Sequence, residues 1–272
     1  AAVASPFLGK TTLHTERSFF GVHRVSETGG LRQLIHGTTI HGAQRLNESG
    51  RPTPITYYHE TSSIGDLFRA YHDRSPVGVV GLGIGSVACS MSPEQSALFY
   101  EIDPAVIGIA EDPTLFNFLS ECGQNSEIII GDGRLTVADA PQNTFGFLLL
   151  DAFSSDAVPA HLLTLEALSM FMDRTKEDGV IAIHISNRHL DLAPIIARIA
   201  GAKGWTAREK KSLVDPALEN HAAPTRVVVV ARTEAALRQL DSMGGWTVLT
   251  SDRGRPWTDD RSNILGAWIA NW

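Results

Sequence analysis

The chain contains few residues of the kinds that mark metal sites, disulfide scaffolds or membrane spans. Only 2 of its 272 residues are cysteines, Cys89 and Cys122, and neither has metal-ligand spacing. We expect both to be free, buried thiols in a reducing compartment. The sequence has no apolar run of roughly 18 residues, which excludes a membrane-spanning helix within it.

Positive charge is also scarce. Lys and Arg number 23 against 30 Asp and Glu, so the net charge is -7, which excludes nucleic acid as the main partner. His36 and His41 lack a third ligand at metal spacing, and we predict no metal site. The opening residues AAVASPFLGK contain neither an initiator Met nor a signal-peptide pattern, so we expect a processed or excised chain.

The first recognisable feature of the chain is a short region of β-forming residues near its start. Ser18–Val25 reads as a strand, Glu27–Gly30 as a turn and Leu31–Ile35 as a returning strand. We predict a small antiparallel β-domain over residues 1–56, with its β unit at residues 17–46. A polar loop containing Gly and Pro, Asn47–Pro54, precedes the boundary.

From residue 57 to residue 272 the pattern alternates between strands and helices. Near-continuous apolar strands are buried on both faces, as in a parallel sheet flanked by helices. The predicted strands are Val77–Gly81, Ala97–Ile102, Glu127–Ile130, Phe145–Leu150, Val180–Ile185 and Arg226–Ala231. The predicted helices include Pro104–Ala110, His161–Arg174 and Ala193–Ala202.

The first of these strands leads into a glycine loop, Gly81-Leu82-Gly83-Ile84-Gly85. A strand, a glycine turn and a helix start form a cradle for an adenosine-bearing ligand. A nicotinamide cofactor prefers GxGxxG followed by a long helix, whereas Ser92-Pro93 interrupts this segment early. The short first crossover therefore favours S-adenosylmethionine chemistry over hydride transfer.

Acidic residues follow the next strands in order. In an open parallel sheet, ligands gather at the carboxyl ends of the strands. Glu101 ends the second strand and could accept hydrogen bonds from both ribose hydroxyls, while Asp132, followed by Gly133, could accept the amino group of an adenine. Asp151 ends the fourth strand. Each acid alone could equally cap a helix, but their succession predicts an adenosyl-ligand site.

At these positions the sequence resembles the spermidine synthase-like aminopropyltransferases, and within them the bacterial branch that often carries a membrane-spanning region. The resemblance covers about residues 17–265. The motifs that carry it are HGAQ (His41–Gln44), YYHE (Tyr57–Glu60), GLGIGS, YEID, GDGR, DAFSSDAVPAHLLT (Asp151–Thr164), HISNRHLDL (His184–Leu192) and WTDDRSN (Trp257–Asn263).

The resemblance implies an α/β fold: a small N-terminal β-domain before a Rossmann-like, methyltransferase-type sheet with helices on both faces. It implies transfer of the aminopropyl group of decarboxylated S-adenosylmethionine to a putrescine-like amine, which releases 5'-methylthioadenosine. It also implies a cytoplasmic domain, a membrane region in the full-length protein and a homodimer. Among its site residues, Gln44 would contact the aminopropyl side of the donor, beside the cofactor-binding residues Gly81, Gly83, Gly85, Glu101, Asp132 and Gly133.

Asp151 is the predicted catalytic carboxylate, with Tyr58 beside it. The acceptor amine is protonated in water and must lose a proton before it displaces the sulfonium leaving group. Asp156 resembles the second acid of the family's Asp-rich loop, although this loop is two residues longer, and it could instead cap a helix. Substrate-binding candidates are His59, His184 and Asp259, and each has a structural alternative: a helix start, a satisfied core histidine and a solvated turn.

Two departures from the family pattern leave the substrates open. Ile84 stands where the family's glycine loop carries an Asp that holds the donor's amine and repels a carboxylate. The acidic pair before the Tyr-His-Glu motif is replaced by Pro54–Tyr57. Three alternatives follow: an aminopropyltransferase; an enzyme that cleaves the same bond of intact S-adenosylmethionine by transfer, cyclisation or elimination; and a non-catalytic sensor of adenosyl ligands.

Overall fold

A computed structural model describes residues 10–153, 159–187, 190–214 and 221–268. The strands are β1 (Thr11–Ser18), β2 (Gly21–Thr28), β3 (Leu31–His36), β4 (Thr39–Arg45), β5 (Val77–Val80), β6 (Ala97–Glu101), β7 (Ser126–Ile130), β8 (Phe145–Leu150), β9 (Thr175–His184), β10 (Thr206–Ser212), β11 (Thr225–Ala231) and β12 (Thr247–Val248). The helices are α1 (Ser63–Ala70), α2 (Pro104–Glu111), α3 (Phe118–Cys122), α4 (Gly133–Ala138), α5 (Leu165–Arg174), α6 (Ala193–Lys203) and α7 (Glu234–Leu237).

The N-terminal region is a four-stranded antiparallel sheet in the order β1-β2-β3-β4. The predicted turn is confirmed at Gly29 and Gly30, both of which have positive φ angles. The predicted first strand is wrong at its start, because Ser18 ends β1 and Phe19-Phe20 form a turn before β2. Phe19 is 96% exposed there, so this apolar residue is not buried in the sheet.

The second sheet has eight strands in the order β12-β10-β11-β9-β8-β5-β6-β7. The five strands β5 to β9 pair in parallel, as predicted. The strand at the predicted position Arg226–Ala231, β11, is buried like the parallel strands but pairs antiparallel with both β9 and β10. The sequence prediction also omitted β10, whose polar residues TAREKKS give no apolar run.

Two apolar layers hold helices against the two faces of this sheet. Val228 and Val230 of β11 join the core cluster that contains residues of α5 and α6. Val227 and Val229 face the other way and join a cluster with residues of α1 and α7. The Rossmann-like arrangement with helices on both faces is therefore confirmed.

The helix predictions hold with shifted ends. α2 and α6 begin at the predicted Pro104 and Ala193. The predicted helix His161–Arg174 is split: a 3-10 turn covers Ala160–Leu162, and the Thr164 side chain then caps α5. The first crossover after the glycine loop is a 3-10 turn at Ser86–Ser90, as short as predicted. Within the described ranges, no helix is both long and apolar enough to cross a membrane.

The two cysteines form a disulfide bond, so the prediction of free thiols is wrong. Cys89 lies in the 3-10 turn after the glycine loop, and Cys122 is the last residue of α3. They are separated by 33 residues in sequence. No local sequence pattern indicates that two residues this far apart are in contact. Cys89 belongs to an apolar cluster that also contains Ile84, and Cys122 packs against this cluster.

Candidate active site

A cavity of about 700 Å³ opens where the carboxyl ends of the parallel strands meet the N-terminal sheet. Its floor includes residues that follow β5, β6, β7 and β8, which is where an open α/β sheet binds ligands. Its roof comes from β2, β3 and β4. The acidic residues of the described lining are Glu101, Asp103, Asp132 and Asp151.

The glycine loop brings backbone close to the cavity. Gly81 has φ +102°, and a Cβ there would lie 2.4 Å from the carbonyl oxygen of Asp151, so only glycine fits. Gly83 also lines the cavity. Gly85 does not: it packs against Leu119 and begins the 3-10 turn. The loop thus forms one wall through Gly81 and Gly83 only.

Ile84 points away from the cavity. Its side chain is fully buried in an apolar cluster that includes Val25 and Leu34 of the N-terminal sheet. A Cβ on Gly42 of β4 would lie 2.6 Å from Ile84 Cγ1, so the strand passes directly over the loop. The residue that replaces the family's expected acid therefore joins the two sheets, and the loop contributes no carboxylate to the cavity.

Glu101 lies at the end of β6 and is held by the backbone around it. Its Oε2 accepts a hydrogen bond from Leu82 N–H at 2.9 Å, and its Oε1 accepts one from Asp103 N–H at 3.0 Å. Burial raises the pKa of the Glu101 carboxyl, although these backbone hydrogen bonds oppose the shift. The carboxylate faces the cavity with lone pairs to spare, since each oxygen can accept two hydrogen bonds.

Asp103 joins the N-terminal sheet to the cavity floor, a role that sequence reasoning missed. Its Oδ2 accepts hydrogen bonds from Ser18 Oγ at 2.5 Å and His23 Nε2 at 2.6 Å, while Oδ1 caps α2 through Ala105 N–H. Burial alone would raise the pKa of Asp103, but these hydrogen bonds outweigh it and lower the pKa. The two partners lie 80 or more positions away in sequence, so no local pattern could have indicated them.

Asp132 caps a helix and also lines the cavity. Its Oδ1 caps α4 through the N–H groups of Arg134 and Leu135. Its Oδ2 lies 3.2 Å from His161 Nε2 at the mouth of the cavity. Gly133 lines the cavity beside it, where a Cβ would collide with Val80.

Asp151 lies at the centre of a buried hydrogen-bonded cluster. The Tyr58 hydroxyl donates to its Oδ2 at 2.6 Å, and His184 Nδ1 lies 2.6 Å from its Oδ1. The Asp151 side chain is 4% exposed. Burial and the adjacent carboxylate raise the pKa of the Tyr58 hydroxyl well above its usual range, so the phenol stays protonated and donates. The structure thus brings Asp151, Tyr58 and His184 together.

Histidines of the N-terminal sheet cover the opposite side of the cavity. The rings of His23 and His36 lie 5.0 Å apart, and those of His36 and His41 lie 5.8 Å apart. Burial and the neighbouring His23 lower the pKa of His36, so its imidazole is uncharged at neutral pH.

In the described part of the chain, no group of three or more His, Cys, Asp or Glu side chains is arranged to hold a metal ion.

Four predicted site residues, Gly85 among them, lie outside the cavity lining, and a fifth is not described. Gln44 exchanges hydrogen bonds with Asn117, His59 bonds to Thr61, and Asp259 pairs with Arg134 through both carboxylate oxygens. Hydrogen bonds from Arg134 and Thr164 lower the pKa of Asp259 to about 2. Asp156 lies outside the described residues.

Sequence comparison finds a similar protein. A polyamine aminopropyltransferase from Vibrio vulnificus is 32% identical over 188 residues, which cover 65% of this chain and 60% of that protein. The match therefore spans less than two thirds of the length of this relative. No family model matches the chain.

Solved structures show the fold. A probable spermidine synthase from Corynebacterium glutamicum has a TM-score of 0.64 at 14% identity, over 96% of this chain and 99% of that chain. Spermidine synthase from Thermotoga maritima has a TM-score of 0.61 at 15% identity, over 95% and 84%. A spermidine synthase in complex with the transition-state analogue AdoDATO has a TM-score of 0.60 at 13% identity, over 95% and 84%. The resemblance expected from the motifs is thereby confirmed: the chain is similar in sequence to a polyamine aminopropyltransferase and has the fold of spermidine synthases.

Proposed function

We propose that the chain transfers the aminopropyl group of decarboxylated S-adenosylmethionine to an amine acceptor and releases 5'-methylthioadenosine. The observation that carries the proposal is the buried Asp151 carboxylate, which faces a cavity whose other acids suit an adenosyl sulfonium. Sequence similarity to a polyamine aminopropyltransferase supports the same reaction.

In this proposal the donor lies along the carboxyl ends of β5, β6 and β7. Glu101 accepts hydrogen bonds from the ribose hydroxyls, and Asp132 Oδ2 accepts one from the adenine amino group. Gly81 and Gly83 present backbone to the donor, and a Cβ at Gly81 would clash with the carbonyl oxygen of Asp151. Four carboxylates in the described lining favour a cationic donor over an anionic one.

The acceptor reacts beside Asp151. Its ammonium group hydrogen-bonds to the carboxylate and gives up a proton to it, directly or through water. The freed nitrogen lone pair then attacks the methylene carbon next to sulfur. The new N–C bond forms as the C–S bond breaks, and the bonding electrons neutralise the sulfonium as a thioether. The donor is already activated, so orientation is the main contribution of the protein.

A second candidate, cleavage of intact S-adenosylmethionine with release of the same thioether, is favoured by Ile84. Its side chain is buried between the two sheets, so the glycine loop presents no negative charge to repel a donor carboxylate. The two candidates share the adenosine site and differ in the tail of the donor.

Product analysis distinguishes the candidates. The protein is incubated with decarboxylated or intact S-adenosylmethionine, with and without putrescine, and products are identified by mass spectrometry. Methylthioadenosine formed only from the decarboxylated donor plus amine supports the first candidate, and its formation from the intact donor alone supports the second. S-adenosylhomocysteine would contradict both. Donor binding without turnover would favour the sensor alternative.

Removal of the Glu101 carboxylate tests the donor site. We expect Glu101→Ala to weaken donor binding by ~1–3 kcal/mol, the usual loss for hydrogen bonds to a charged group. Isothermal titration with the donor measures the change. Glu127→Ala, which removes an exposed carboxylate from the adjacent strand β7, is the matched control. Equal affinity of Glu101→Ala and the wild type would reject the ribose role.

Partners and location are part of the proposal. We propose a small amine acceptor, a homodimer and, in the full-length protein, a membrane region attached to a cytoplasmic domain. The cytoplasmic location rests on the resemblance alone, because the Cys89–Cys122 disulfide does not indicate a reducing compartment. The division of the chain into residues 1–56 and 57–272 stays a prediction.

A further inference from the structure

The imidazole of His184, the last residue of β9, contacts the Asp151 carboxylate. Its Nδ1 is 2.6 Å from Asp151 Oδ1, and its Nε2 is 2.7 Å from Ser186 Oγ. The His184 side chain is 3% exposed. Both ring nitrogens therefore have protein partners, and neither is left for a substrate.

The hydrogen-bond network determines where the imidazole carries its proton. Ser186 Oγ accepts a hydrogen bond from the backbone N–H of Arg226 at 2.7 Å, so its own hydroxyl hydrogen is available to His184 Nε2. A contact of 2.6 Å between Nδ1 and a carboxylate oxygen requires a proton between the two atoms. An arrangement that satisfies these contacts has Nδ1–H donating to Asp151 and Nε2 accepting from Ser186.

The surroundings of the ring hold it in this orientation. The Phe153 ring lies edge-on at 4.9 Å between centroids, and the Tyr57 ring lies at 5.5 Å. His184 also pairs with Val227 of β11, which anchors its backbone in the sheet. The ring therefore cannot change its orientation without breaking several contacts.

We propose that His184 is a positioning residue for the transfer reaction and that the Ser186 hydroxyl holds His184 in place. This inference rests on the proposed function. The Nδ1–H holds Asp151 Oδ1 while the Tyr58 hydroxyl holds Oδ2, which fixes the plane of the carboxylate. The carboxylate held in this plane is the group that attracts an acceptor ammonium and receives its proton in the proposed reaction.

Two substitutions at His184 test this role. Asn places an amide N–H close to the position of Nδ1, whereas Ala provides no donor. We expect His184→Ala to lower kcat roughly 10- to 100-fold, the effect of losing a hydrogen bond to a charged group, and to leave donor affinity within about threefold. His184→Asn should recover most of the lost kcat, which a role in packing alone would not produce. His72→Ala, at an exposed histidine outside the cavity lining, is the control.

A wild-type kcat in His184→Ala, or a His184→Asn variant as slow as His184→Ala, would overturn the proposal. If the wild type transfers no group from either donor, the proposed function fails, and the nitrogen NMR signals of His184 decide the inference separately. We expect a protonated Nδ1 in the wild type and a changed signal in Asp151→Asn. An unprotonated Nδ1 that is insensitive to this substitution would overturn the inference.

Discussion

Replacement of Asp151 by Asn is expected to lower kcat by about 100- to 10,000-fold, the usual contribution of a positioned proton acceptor. The amide cannot accept the proton of the acceptor ammonium, and it carries no charge to attract it. The fold should survive because the neighbours can adapt. The Tyr58 hydroxyl can accept a hydrogen bond instead of donating one, and His184 can move its proton from Nδ1 to Nε2.

Steady-state kinetics and donor titration together measure this prediction. Donor affinity should stay within about threefold of the wild type, because the adenosine end is held by other residues. Asp173→Asn, at an exposed carboxylate on α5, is the matched control. Turnover by Asp151→Asn at the wild-type rate would remove Asp151 from the mechanism.

The sequence predicted the parallel half of the large sheet well because its strands are buried on both faces. Phe145–Leu150 is a run of apolar residues with predicted bounds equal to those of β8. β10 was missed because its charged residues are satisfied by tertiary ion pairs, among them Arg208 with Glu234 and Lys210 with Asp66. A strand stabilised in that way has the composition of a loop.

The position of a residue at a strand end was a better predictor of the candidate site than its chemical type. Glu101, Asp132 and Asp151 line one cavity because the carboxyl ends of parallel strands share an edge of the sheet. Asp259 shows the limit of the approach. It has the chemistry to attract a cationic substrate, but Arg134, 125 residues away in sequence, binds both of its carboxylate oxygens.

Gln44 and Ile84 show a different limit. Both were identified by comparison with a family motif, and the structure places both outside the cavity lining. Gln44 bonds to Asn117, and Ile84 fills the space between the glycine loop and β4. A motif indicates which residues lie near a ligand, whereas the direction of each side chain depends on packing between sheets that are distant in sequence.

Loss of the disulfide is expected to lower the free energy of unfolding by about 2–4 kcal/mol. The bond closes a loop of 33 residues, and a crosslink over that length restricts the unfolded chain by roughly this amount. The loop contains Glu101, the last residue of β6, and Asp103, which caps α2, so the crosslink restrains a segment that lines the floor of the cavity. Cys89→Ala combined with Cys122→Ala removes the bond without leaving a free thiol.

Urea unfolding of four samples distinguishes the effect of the disulfide bond on stability from the effect of replacing the two cysteine side chains. The wild type is measured with and without a reductant, and so is the double variant. We expect the reductant to shift the wild-type midpoint to lower urea and to leave the double variant unchanged, because only the former has a bond to break. Two reactive thiols in the unreduced, unfolded wild type would show that the bond is not formed. The prediction of free thiols in a reducing compartment would then hold after all.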